Sequence, residues 1–169
     1  PYSLSEPLIM KSINSDIEML VLIVSESFKN NLFSEDNKTG IIANLFFNLK
    51  EISIVKKESF YPVPKVDSWL IKLERKHQLT EIEKIMQNII TKKGKIKNAI
   101  IYSFVKSGKT KSQAREILNK IGLYDDILGK PTKKLTAKLL KRIRDIVKAI
   151  NISQNHSGFP LIPKAQMGN

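Results

Sequence analysis

Apolar positions follow two rhythms along the chain. As far as about residue 75 they form short runs and alternations; beyond it they recur at helical spacing almost without a break. In the first stretch, Ser5 is placed to cap a short helix over Glu6 to Ile13, with Pro7 in the first turn, where its missing N–H does no harm. Ile17 to Val24 reads as a strand of the buried, parallel-sheet kind, apolar on both faces. Ser25 opens a second helix carrying Phe28, Leu32 and Phe33. The polar run Ser34 to Gly40 reads as a loop, and Ile41 to Leu49 as a third helix. Ile52 to Lys56 and Val66 to Leu73 alternate as strands, the second with Trp69, Ile71 and Leu73 facing one way. Between them Pro62 and Pro64 stiffen the chain and exclude helix. This order predicts half of an α/β sheet with an unpaired edge.

Residues 79–151 predict helix throughout. Leu79, Ile82, Ile85, Met86, Ile89 and Ile90 form one stripe, and Ile96, Ile100, Phe104 and Val105 a second. Thr110 and Gln113 have capping-box spacing ahead of Ala114, Ile117, Leu118 and Ile121, and Gly122 stops that helix. Gly129 to Pro131 is a turn, and Thr136 caps a long helix with Leu139, Leu140, Ile143, Ile146, Val147 and Ile150 inward. From Ser153 the sequence predicts a frayed tail. The expected organisation is therefore an α/β part over 1–75, a helical part over 76–151 and a flexible tail over 152–169.

Charge sharpens this division. The chain of 169 residues carries a formal charge of +13, yet residues 1–75 hold 9 basic and 10 acidic side chains while residues 76–151 hold 19 and 6. A field concentrated on one helical segment is the footprint of a nucleic-acid partner, with a Lys-rich solvated surface as the plainer alternative. The zero cysteines exclude a disulfide framework, a Cys-based zinc site and a thiol nucleophile, and His77 and His156 are too few for a His-rich metal site. No apolar run approaches the length of a membrane span. A first residue that is Pro rather than Met suggests a chain whose beginning has been cut off.

Two segments carry a resemblance. Pro1-Tyr2-Ser3-Leu4-Ser5-Glu6-Pro7-Leu8 is similar to the Asn-Leu-Pro-Tyr-x-(Ile/Leu)-Ser-x-Pro-Leu segment of ribosomal RNA adenine dimethyltransferases of the KsgA and Erm type. Phe60-Tyr61-Pro62-Val63-Pro64-Lys65-Val66-Asp67-Ser68 resembles that family's Phe-x-Pro-x-Pro-Lys-Val-Asp-Ser almost position for position. Lys92 to Asn98 looks like a weakened form of its Arg-Arg-Lys-x-(Ile/Leu)-Arg-Asn stretch. The family's Tyr-Gly-Arg-Leu-Ser stands here as Thr39-Gly40-Ile41-Ile42-Ala43, so its Tyr and Arg-Leu-Ser residues are missing. No Gly-x-Gly occurs, and the family's glycine-rich cofactor loop would lie before residue 1.

The resemblance implies the second half of a Rossmann-like methyltransferase sheet followed by an all-α basic C-terminal domain. It implies dimethylation of adenine N6 in small-subunit ribosomal RNA, with S-adenosylmethionine bound only by a full-length protein and no metal. The expected setting is a cytoplasmic, membrane-free monomer acting on the small ribosomal subunit. By resemblance Pro1 offers a carbonyl acceptor to the amino group, and Tyr2 and Phe60 sandwich the flipped adenine. Lys65 either touches a phosphate or closes the Pro turn. Asp67 reads as a hydrogen-bonding residue at a strand end rather than a base. Lys92, Lys93, Lys95 and Lys97 cluster at a helix start, where RNA phosphate relieves an otherwise unfavourable placement. The competing readings are an Erm-like enzyme acting on large-subunit RNA, a family member that has lost catalysis and persists as an assembly factor, and a DNA-binding helical domain using Thr110 to Ile121.

Overall fold

The computed structural model describes residues 4–155, with side chains through residue 150. Helix α1 (Ser5–Ser12) leads to strand β1 (Met19–Ser25), helices α2 (Glu26–Phe33) and α3 (Lys38–Phe46), and strands β2 (Phe47–Val55) and β3 (Ser68–Arg75). Five helices follow: α4 (Glu81–Thr91), α5 (Ile96–Lys106), α6 (Lys111–Ile121), the single turn α7 (Asp125–Leu128) and α8 (Ala137–Asn155). The tail expected to fray from Ser153 is helical as far as Asn155, and the rest of it lies outside the described residues.

Among the described residues the sheet has three strands in the order β1-β3-β2, and β3 runs antiparallel to both neighbours. The parallel-sheet expectation for Ile17 to Val24 is therefore corrected. The strand begins at Met19, pairs antiparallel from Leu20 opposite Leu73 to Val24 opposite Trp69, and buries only alternate residues. Leu20 and Val24 face the helices, while Met19, Val21 and Ile23 stay about half exposed. Its apolar run on both faces signalled two covered faces; among the described residues only one is covered. The outer edge of β1 has no strand partner there either.

Three boundaries move, the first two for local reasons and the third through pairing with β3. Ser5 lies inside the first turn of α1 and makes no capping bond. Asn37 caps α3 by accepting from the Gly40 N–H at 2.8 Å, so the loop before it shortens and the helix starts three residues early. The same helix ends at Phe46, and Leu49 belongs to β2, pairing with Leu73. The helical half follows its pattern closely. Capping boxes stand at Thr110/Gln113 and at Thr80/Glu83, the latter overlooked in the sequence, and Gly122 ends α6 at φ +61°.

One apolar cluster runs through the described residues, from Ile9 and Val24 through Ile41 and Ile71 to Phe104 and Val147. Helix α3 joins its two halves by packing against both α4 and α8.

Candidate active site and nucleic-acid interface

The Pro-rich loop returns to the sheet beside the end of β1. Ser68, the first residue of β3, pairs with Ser25, whose hydroxyl accepts the Phe28 N–H at 3.3 Å and turns the strand into α2. An open cleft of about 780 Å³ lies at this edge, lined by Glu26, Lys56, Lys57, Glu58, Lys65 and Asp67. Asp67 clasps the loop: one carboxylate oxygen accepts the Lys57 backbone N–H and the other the Lys56 ammonium, both at 2.9 Å. The Lys56 hydrogen bond, helped by the Lys57 N–H, holds the Asp67 carboxyl below the usual carboxylate range, and the same pair raises Lys56. With both oxygens engaged, Asp67 fastens the start of β3 to the Lys56–Lys57 segment.

Phe60 is half-buried on this loop and does not belong to the apolar cluster, and Tyr61 beside it is fully exposed. Lys65 is exposed on the rim of the cleft. Pro1 and Tyr2, the other residues expected around the adenine, lie outside the described residues.

The departure at 39–43 has a packing explanation. Gly40 sits so close to the preceding turn that a Cβ there would lie 1.8 Å from the Ser34 carbonyl oxygen, which only glycine tolerates. Ile41, Ile42 and Ala43 are all buried in the cluster. Apolar side chains suit these positions, and no polar group reaches the surface from them.

The four expected RNA-binding lysines are not all at a helix start. Lys92 ends α4, Lys93 is in the link, Lys95 precedes α5 and Lys97 is in its first turn. Lys95 forms an isolated antiparallel bridge with Pro131. Around it the Ile96 N–H donates to Lys130, the Thr132 N–H to Gly94, and the Thr132 hydroxyl to Lys92, each at 2.9 Å. These bonds place the 92–97 cluster beside Lys130, Lys133 and Lys134, thirty-odd residues later. Lys38 joins them from α3, its ammonium donating to the Lys133 carbonyl at 3.1 Å. Lys92 also sits 4.5 Å over the Tyr102 ring. The fold thus brings two stretches of lysines that are far apart in sequence together.

Other cations are engaged within the fold. Lys141 and Arg144 of α8 pair with Asp36 and Glu35 at 2.7 and 2.8 Å, and Arg142 donates to the Gly122 carbonyl. Sequence reasoning missed Lys29, which is buried, 3.2 Å from Glu51 and 3.7 Å above the Trp69 ring. Its place on the α2 stripe between Ser25 and Leu32 was the available signal.

Against this geometry, residues 1–145 match the family described as ribosomal RNA adenine dimethylase. A probable ribosomal RNA small subunit methyltransferase A of Methanopyrus kandleri is 25% identical over 142 residues, covering 76% of this chain and 50% of that protein. Its counterpart in Mycoplasma genitalium is 31% identical over 80 residues, covering 44% of this chain and 31% of its own length. The chain thus spans half or less of these relatives. Among solved structures, a dimethyladenosine transferase from Plasmodium falciparum aligns with a TM-score of 0.46 at 22% identity, over 91% of this chain and 65% of that one. The 23S rRNA methyltransferase ErmE aligns at 0.44 and 14%, over 88% and 62%. The family match spans both the Phe60–Ser68 loop and the basic helices, and this chain belongs to the ribosomal RNA adenine dimethylase family.

Proposed function

We propose that these residues form the adenine-facing and RNA-facing part of an S-adenosylmethionine-dependent enzyme that dimethylates adenine N6 in small-subunit ribosomal RNA. The observation that carries this reading is the family match over residues 1–145, and the small-subunit names of the relatives favour that substrate over a large-subunit one. The enzyme acts as a cytoplasmic monomer, with a catalytic part up to about residue 75 and RNA-binding helices beyond it.

The obstacle in this chemistry is the N6 lone pair, which is delocalised into the ring. Acceptors on the amino hydrogens favour a pyramidal nitrogen and stabilise its developing positive charge. We assign one acceptor to the Pro1 carbonyl, and the two faces of the flipped base to Tyr2 and Phe60. Support for Phe60 in this role is that it lies on the loop beside the cleft and outside the apolar cluster. S-adenosylmethionine supplies the methyl group. The glycines at positive φ, Gly94, Gly108 and Gly122, all lie beyond β3, and none borders the cleft. The described residues therefore do not fit as a cofactor cradle. We assign that role to the part of the relatives that this chain does not match.

Two measurements test the reading. Calorimetry on the 169-residue chain should detect no micromolar binding of S-adenosylmethionine. In an enzyme restored to the length of its relatives, Phe60→Ala should lower methyl transfer to unmethylated small subunits about 10- to 100-fold, as expected for lost stacking of 1–3 kcal/mol. Its melting temperature should hold, and Phe60→Tyr should keep much of the activity. A melt that collapses together with activity returns Phe60 to a packing role. The buried Ile41, Ile42 and Ala43, where the family carries Arg-Leu-Ser, favour a second reading as an inactive assembly factor. A restored wild type that binds RNA and methylates nothing would establish it.

A further inference from the structure

Where α7 and the 3-10 turn at Thr132–Lys134 meet the start of α8, a cleft of about 360 Å³ opens on the basic face. Its floor is apolar, built from the half-buried Leu123, Ile127 and Leu139. Tyr124 stands at its mouth with 76% of its surface exposed. The backbone beneath that ring is fixed, because the Tyr124 carbonyl accepts the N–H groups of both Ile127 and Leu128 at 3.0 Å. A rigidly rooted aromatic ring that leaves three-quarters of its surface in solvent is not explained by folding.

The rim is cationic. Lys134 and Lys138 make no ion pair among the described residues, and Lys130 has only a long contact, 3.5 Å, to Asp126. Arg142 is held at the wall by its bond to the Gly122 carbonyl at 3.0 Å. An apolar floor beside a free ring, bordered by unpaired cations, fits a ligand with a flat face and a negative backbone. The volume lies near the lower end for small-ligand sites and suits one nucleoside. A single aromatic ring in a concave, lysine-rimmed cleft matches poorly to a flat anionic bilayer.

We propose that this cleft receives one unpaired nucleotide of an RNA strand, its base stacked on Tyr124 over the apolar floor and its flanking phosphates on Lys134 and Lys138. The bonds from Lys130 and Thr132 to the 92–97 segment make the cleft continuous with the basic face, so a strand bound along that face passes its mouth. The inference rests on RNA being the partner, as argued above. It adds a position at which an individual base is held.

The test uses the 169-residue chain and two RNA probes: a hairpin with one 2-aminopurine in its unpaired loop, and a blunt duplex of the same stem. Wild type should quench the 2-aminopurine on binding. Tyr124→Ala should abolish the quench and weaken hairpin binding about 10-fold or more, leaving duplex affinity unchanged, while Tyr124→Trp should keep both. The double variant Lys134→Ala/Lys138→Ala should flatten the salt dependence for the hairpin by about 1.4 in log–log slope. Should Tyr124→Ala melt early, this double variant decides, a retained quench and slope counting against the cleft. Unchanged hairpin binding and quench in Tyr124→Ala overturn the inference and leave RNA binding standing. A wild type that binds neither probe, or that prefers phosphatidylserine vesicles to both, overturns the inference together with the reading beneath it.

Discussion

Lys141 of α8 reaches back 105 residues to Asp36, its ammonium 2.7 Å from the carboxylate. One helical turn further on, Arg144 does the same to Glu35 at 2.8 Å. Two adjacent acids in the turn before α3 thus hold two cations on one face of the last helix. Lys141 and Ser34 both hydrogen-bond to Asp36 and lower its pKa from 3.8. A carboxyl depressed in the folded state stabilises above its unfolded pKa and loses that contribution as pH falls through the folded one. Asp36→Asn should therefore lower the melting temperature slightly at pH 7, and the difference should vanish well below pH 3.8. Melts of both proteins across that range check it. A gap that persists in acid means the pair contributes nothing.

Asp67 should matter for the loop more than for the fold. Asp67→Ala frees the Lys57 N–H and the Lys56 ammonium, while Asp67→Asn keeps one acceptor. Trypsin should then cut at Lys56, Lys57 and Lys65 faster in the alanine variant than in the asparagine one, with little change in melting temperature. Equal cleavage in all three proteins would show that the clasp does not hold the loop.

Gly40→Ala is expected to be severe. Its Cβ would run into backbone oxygens of Ser34 and Asn31, neither of which rotates away. A loss of about 1–3 kcal/mol or more follows, read from the midpoint of urea unfolding. A neutral result would mean that the turn at 34–37 shifts freely.

The basic face should reveal itself through salt. Replacing Lys92, Lys93, Lys95 and Lys97 together with Ala removes about four phosphate contacts, which corresponds to about 3–4 in the slope of log K against log salt on duplex RNA. Lys138→Ala on the same duplex should change the slope much less. An unaltered slope in the quadruple variant returns the cluster to a solvated surface.

The helices were legible because their signals are local. The Thr110/Gln113 box, the Gly122 stop and the 3.6-residue stripes of α4, α6 and α8 each depend on neighbours within one or two turns. The helix-to-strand switch at Phe46–Phe47 was not legible, since Ile42, Leu45, Phe46 and Leu49 keep helical spacing across it. Pairing with β3 decides that boundary, and pairing is non-local. The Phe60–Ser68 loop was readable as a motif, but the Asp67 clasp on Lys56 and Lys57 needed coordinates. So did the approach of Lys130, Lys133 and Lys134 to the 92–97 cluster, which depends on the Lys95–Pro131 bridge.

Strand β1 has a consequence for anyone handling this polypeptide. Met19-Leu20-Val21-Leu22-Ile23-Val24-Ser25 contains no charge, no proline and no glycine, which is the composition of amyloid-forming heptads. It stands at the rim of its sheet with Met19, Val21 and Ile23 open to water. A strand of that kind is a template on which a second strand can be laid. Any polypeptide that pairs along that rim removes this hazard.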